Sequence, residues 1–214
     1  MKRKKCSRCH RPVSHCLCSY IVGQPTKLPI LIVQHPDEAG HPFTTSYLAT
    51  LGATSVHLIS AMDVSEQQCL NLLQISPDTQ LALLYTDHRY AEHETIVLDC
   101  NAHISPTLAT NVGALIVLDG TWRNTRELML RNHWLASLTI LELKNPGVSE
   151  YTVRKVGADS GQVGDSTPVC TIEAISRVLS VVEPDFQLDL YLQPMRELMR
   201  QQARFKVHTT PGCD

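Results

Sequence analysis

Two stretches of this chain carry residue types and spacings that can do chemistry. In the first, Leu118-Asp119-Gly120-Thr121-Trp122-Arg123, a short aliphatic run ends in an acid, a glycine, a hydroxyl and an indole before an amphipathic stretch begins. Ligands of open α/β sheets gather at the carboxyl ends of strands, so such a junction is where a site forms. Gly120 would admit a ligand close to the backbone, the following helix N-terminus favours an anionic group such as a carboxylate, and Trp122 offers a stacking face. Asp119 and Thr121 are also good helix caps, and a tryptophan opening a helix can equally be core, so a structural reading stands beside the chemical one. In the second stretch Cys6, Cys9, Cys16 and Cys18 fall within thirteen residues. Four thiolates on two short knuckles can surround one Zn²⁺ tetrahedrally, with Lys4, Lys5, Arg8 and Arg11 offsetting the charge. His10 and His15 could substitute as ligands, although four cysteines already complete the shell, and a redox or accidental cluster is the alternative. Cys69, Cys100, Cys170 and Cys213 are scattered and read as small buried or terminal residues.

The rest of the chain must position these groups. With 214 residues and 43% hydrophobic content, it can bury a sizeable core without disulfides, which excludes disordered and fibrous classes. Runs such as Leu115 to Leu118 are far too short to cross a bilayer, so no membrane segment is expected. The cysteine stretch stands where a signal peptide would need an apolar one, which predicts a cytoplasmic protein. The net charge of −2 hides an asymmetry: residues 1–36 hold seven Lys or Arg side chains and no acid. A cationic head of this kind suits nucleic-acid phosphate, although a solvated run at a frayed terminus has the same composition.

Short aliphatic runs at Ile30 to Val33, Val56 to Ile59, Leu81 to Tyr85, Ala114 to Leu118 and Thr139 to Leu143 read as buried strands. Between them Thr45 to Leu51, Ser65 to Gln74 and Thr125 to Leu135 fit helices, and the alternation predicts an α/β domain with a mostly parallel sheet flanked by helices. Helical spacing continues from Ile172 to Val182 and from Leu188 to Phe205, the latter interrupted near Pro194. A proline-marked linker near Gly23 to Pro29 separates a small N-terminal zinc-binding head, residues 1–22, from a body spanning 28–207. No nucleophile elbow, phosphate loop, dinucleotide glycine fingerprint or His-Glu-x-x-His motif is present in the sequence.

Asp119-Gly120-Thr121-Trp122 resembles the signature of the DTW-domain family, the tRNA-uridine aminocarboxypropyltransferases. Further blocks in order are similar to that family: the cysteine head with Cys16-Leu17-Cys18, then Gln34-His35-Pro36 with Glu38, His41-Pro42 and Thr45, then Ser149-x-Tyr151-x-x-Arg154-Lys155, and Thr171-Ile172-Glu173-Ala174. Val153 and Cys170 depart from the leucine and serine common there. Cys170 weakens a capping box in which Glu173 would hold the third helical position.

The resemblance implies transfer of the 3-amino-3-carboxypropyl group of S-adenosylmethionine to N3 of a tRNA uridine, with release of methylthioadenosine. It also implies a SPOUT-like fold with a C-terminal trefoil knot. On this reading Asp119 is the candidate catalytic base, with Glu173 in reserve. Tyr85, Gly120, Thr121, Trp122, Tyr151, Arg154, Thr171 and Glu173 are candidates for holding the donor. His35 and Glu38, with Arg123 and Arg126, are candidates on the tRNA side. An S-adenosylmethionine-dependent RNA methyltransferase and a non-catalytic zinc-containing RNA-binding module are the competing readings.

Overall fold

The computed structural model describes residues 4–41, 44–86, 95–101, 112–151 and 169–209, the last five of these by backbone only. Among the described residues six strands form one sheet: β1 (Ile30–Gln34), β2 (Val56–Ser60), β3 (Leu81–Leu84), β4 (Thr95–Asp99), β5 (Ala114–Asp119) and β6 (Thr139–Lys144). Their order is β2-β1-β5-β3-β6-β4, and every pairing is parallel. A parallel sheet needs both faces covered, which explains why β1 and β5 are buried along their whole length. Alternate residues serve opposite faces. Ile30, Ile32, Leu115 and Val117 join one core, and Leu31, Val33, Ala114, Ile116 and Leu118 join the other.

Helices α1 (Ser46–Gly52), α4 (Thr171–Val182) and α5 (Leu188–Thr209) cover the first face, while α2 (Glu66–Leu73), α3 (Trp122–Arg131) and the 3₁₀ turn His133–Ser137 cover the second. The α2 start is a full capping box, in which Ser65 Oγ accepts from the Gln68 N–H and Gln68 Oε1 accepts from the Ser65 N–H. Among the described residues no helix is long and apolar enough to cross a membrane.

Three expectations are corrected. Strand β4 was not anticipated; it is an edge strand with Val97 54% exposed, so its burial pattern is neither continuous nor cleanly alternating. Helix α3 begins three residues earlier than expected, because Thr121 Oγ1 caps it by accepting from the Asn124 N–H. It stops at Arg131, where the Asn132 side chain donates to the Leu128 carbonyl and accepts from the Val64 N–H. Helix α5 runs through Pro194 without interruption. Tyr191, Leu192, Met195 and Leu198 on either side are all buried in the first core, and that packing outweighs the one hydrogen bond proline removes.

The cysteine head is not set apart from the body. Cys9, Leu17 and Ile21 are buried in the same core as α1, α4 and α5. The linker is fastened as well: the Gln24 side-chain amide donates to the Gln187 main-chain carbonyl and accepts from the Gln187 N–H, and Glu183 Oε1 accepts from the Lys27 and Leu28 N–H groups.

Candidate active site

Neighbouring strands β1 and β5 send their connections in opposite directions, β1 outward to β2 and β5 outward to β6. That is the switch point at which a crevice opens beyond the carboxyl ends of a parallel sheet. Asp119 ends β5 there, and Gln34 ends β1 beside it in register. Asp119 is 9% exposed, and its carboxylate accepts three side-chain hydrogen bonds. Gln34 Nε2 and Ser46 Oγ donate to Oδ2 at 2.8 and 2.6 Å, and Thr171 Oγ1 donates to Oδ1. Thr44 Oγ1 lies 2.6 Å from Ser46 Oγ and completes the cluster.

The side chain of Asp119 therefore does not cap α3; Thr121 does. The carboxylate instead gathers β1, α1 and α4 around the end of β5, and its Oδ1 has a single donor among the described residues, leaving one acceptor direction for a ligand. Sequence reasoning did not identify Gln34 or Ser46 as partners of Asp119. A polar Gln34 closing the four-residue aliphatic run from Ile30 to Val33 was the available signal, since a buried amide needs a partner. Ser46→Ala is expected to cost about 1.5–3 kcal/mol, the range for a hydrogen bond to a charged group, read as a fall in Tm. An unchanged Tm would mean that this bond contributes nothing in solution.

His35 follows directly, its N–H donating 2.9 Å to the Asp119 carbonyl. Gly120 is required by close approach: a Cβ there would lie 2.8 Å from Asn124 Cβ and 3.5 Å from His35 Cβ. Trp122 is 41% exposed, which removes the core reading of this residue and leaves the indole at the surface where α3 begins. Arg123 and Arg126 are exposed on the same helix. Tyr85 is buried in the second core at the end of β3. Glu38 is half-buried in the turn after His35.

Glu173 is 1% exposed. Its carboxylate accepts from Ser149 Oγ and from the N–H groups of Glu150 and Cys170, at 2.6 to 2.7 Å. It thus fastens the segment carrying Tyr151, which packs half-buried against the first core, to the start of α4. Arg154 and Val153 lie outside the described residues. Burial pushes the Cys170 thiol well up, and its Sγ rests 3.5 Å from Met195 Sδ. Cys69 is likewise buried and raised to about 11, Cys100 is half-buried, and Cys213 lies outside the described residues.

The four head cysteines converge. Their sulfurs all lie within 4.8 Å of one another, with Cys6–Cys18 at 3.6 Å and Cys9–Cys16 at 3.7 Å. Sulfurs on a tetrahedron with Zn–S near 2.3 Å sit about 3.8 Å apart, so the cage fits a zinc ion. The N–H groups of Cys9 and Arg8 turn toward Cys6 and lower its thiol to about 6, whereas burial and the neighbouring sulfurs push Cys18 up to about 12. His15 Nδ1 pairs with Ser14 Oγ, and the His10 ring stacks on Tyr47 at 4.6 Å between centroids, so neither supplies a fifth ligand. Tyr47 also donates from its hydroxyl to the Arg8 carbonyl, which ties the head to α1 one residue from Ser46.

The family model described as "DTW domain" matches residues 3–204. Among curated proteins, the chain is 26% identical over 204 residues to a mouse protein named "tRNA-uridine aminocarboxypropyltransferase 2", covering 92% of this chain and 63% of that protein. It is 23% identical to the protein of the same name from Drosophila melanogaster, over 94% of this chain and 76% of the relative. To "tRNA-uridine aminocarboxypropyltransferase A" of Arabidopsis thaliana it is 24% identical, over 95% of this chain and 83% of the relative. The chain thus spans a little under two thirds of the mouse relative's length. No solved structure matches.

Proposed function

The chain belongs to the DTW domain family, and from that premise we propose that it transfers the 3-amino-3-carboxypropyl group of S-adenosylmethionine to N3 of a tRNA uridine. The observation that carries this reading is the placement of Asp119: a carboxylate at the β1/β5 crevice, clamped by Gln34, Ser46 and Thr171, with one acceptor direction left on Oδ1. Uracil N3 holds a proton at neutral pH and is a poor nucleophile until it is removed. Asp119 accepts that proton while the N3 electron pair forms a bond to the γ-carbon of the methionine chain. The γ-carbon–sulfur bond breaks, its electron pair passes to sulfur, and the sulfonium leaves as neutral methylthioadenosine.

Donor and acceptor must be held in line, because the sulfonium also carries a methyl carbon open to attack. Tyr85, Gly120, Thr121, Trp122, Tyr151, Arg154, Thr171 and Glu173 form the donor side in this proposal. Glu173 and Thr171 serve it as clamps, through the bonds already described to the Ser149–Tyr151 segment and to Asp119. His35, Glu38, Arg123 and Arg126 face tRNA. The basic head, residues 1–22 on the body 28–207, adds phosphate contacts and holds structural zinc through Cys6, Cys9, Cys16 and Cys18. The SPOUT-like knot belongs to the same proposal, supported by the return of the chain from β6 to place Thr171 on Asp119; the connecting residues 152–168 lie outside those described.

Incubation with unmodified tRNA and donor labelled either in the methyl group or in the methionine carboxyl carbon tests the reading. Carboxyl label is expected in tRNA, and methyl label in methylthioadenosine. Methyl label in tRNA would make the protein a methyltransferase, and no transfer to any tRNA pool would leave the RNA-binding module.

A further inference from the structure

His35 is 4% exposed, and its two ring nitrogens are in different situations. Nδ1 accepts from the Asp37 N–H at 3.1 Å, which fixes the ring as the tautomer with its proton on Nε2. Nε2 is itself buried and has no hydrogen-bond partner among the described residues. The nearest charged acceptor, Glu127 Oε2 in the second turn of α3, is 3.7 Å away, beyond hydrogen-bond length, and the Glu127 side chain is 47% exposed. A buried N–H left without an acceptor is costly, and such groups persist where a ligand supplies the partner. This one stands at the switch point, its backbone bonded to Asp119, and faces the helix that opens with the exposed Trp122.

We infer that His35 is a catalytic hydrogen-bond donor whose Nε2–H binds one of the two uracil carbonyl oxygens flanking N3. The inference rests on the transferase reading above. As N3 gives up its proton, negative charge spreads onto those two oxygens, and a preorganised donor in a dry site stabilises it there. His35 keeps its own proton throughout; the N3 proton goes to the base, and Glu127 swings outward as the base enters. A neutral donor fits this role because its partner gains charge only in the reaction, so it favours the transition state over the bound ground state.

The test compares tRNA transcribed with uridine against tRNA transcribed with 5-fluorouridine, whose electron-withdrawing fluorine makes N3 more acidic and leaves less charge to stabilise. His35→Phe keeps ring volume and removes the donor, while His35→Gln places an amide N–H near the position of Nε2. On uridine tRNA, His35→Phe is expected to lower kcat by about tenfold to a hundredfold, with S-adenosylmethionine affinity by calorimetry unchanged. On fluorouridine tRNA the deficit should shrink to a few-fold, and His35→Gln should recover much of the loss on either. Glu127→Ala should retain activity. An equal deficit on both tRNAs, wild-type rates in His35→Phe, or a Glu127→Ala deficit matching that of His35→Phe would each overturn the donor role while leaving the transferase reading standing. Wild-type chain that transfers to neither tRNA would overturn that reading and this inference with it.

Discussion

Asp119→Asn is expected to lower aminocarboxypropyl transfer by about 10²- to 10⁴-fold, the range for loss of a positioned general base, while the chain stays folded. The clamp around this residue makes the substitution informative. An asparagine amide oxygen in the place of Oδ2 can still accept from Gln34 and Ser46, and the Thr171 hydroxyl can rotate to accept from the amide nitrogen, so the three contacts survive. What the variant cannot do is take up a proton. Asp119→Ala differs, because it removes the charged acceptor on which the buried donors Gln34 and Ser46 converge and leaves them only each other and Thr44, so it should lower Tm as well as activity. Turnover and thermal unfolding measured on both variants separate the base from the clamp. Near-normal turnover in Asp119→Asn would reduce the carboxylate to an anchor and send the search for a base elsewhere in the crevice.

The chemistry was legible in the sequence where it was local. Asp119-Gly120-Thr121-Trp122 could be placed at a strand end because the five-residue aliphatic run before it has no other use, and the cysteine spacing indicated a tetrahedral cage. The partners of Asp119 were not legible from spacing, because Gln34, Ser46 and Thr171 stand 85, 73 and 52 positions away and meet it only once the sheet order is known. The same holds for the role of Asp119. As a residue type before a helix it reads as a cap, and only the observed Thr121 bond assigns the cap to its neighbour. Strand β4 escaped notice for a different reason, since an edge strand with an exposed valine carries little burial pattern. The proline in α5 misled in the other direction: a local rule predicted a break, and long-range packing of Tyr191, Leu192 and Met195 overrode it.

The second large effect is expected at the cysteine head. Cys9→Ser should reduce zinc from about one ion per chain to a small fraction of that, and lower Tm by about 10 °C, on the order of a few kcal/mol for a chain of this size. The reason lies in where the cage sits. Cys9 is 3% exposed and shares a core with Leu17, Ile21 and helices α1, α4 and α5, so loosening the knuckle opens the body's own packing. A head merely tethered by a linker would melt by itself and leave the body's transition unchanged. A head built into the core should instead lower the single transition of the whole chain when a chelator strips the metal. The effect should reach the crevice too, because the His10–Tyr47 stack and the Tyr47–Arg8 bond hold the N-terminus of α1, where Ser46 meets Asp119. Elemental analysis finding no zinc in protein purified without chelator would remove the metal, and a separate early transition confined to the head would remove the coupling.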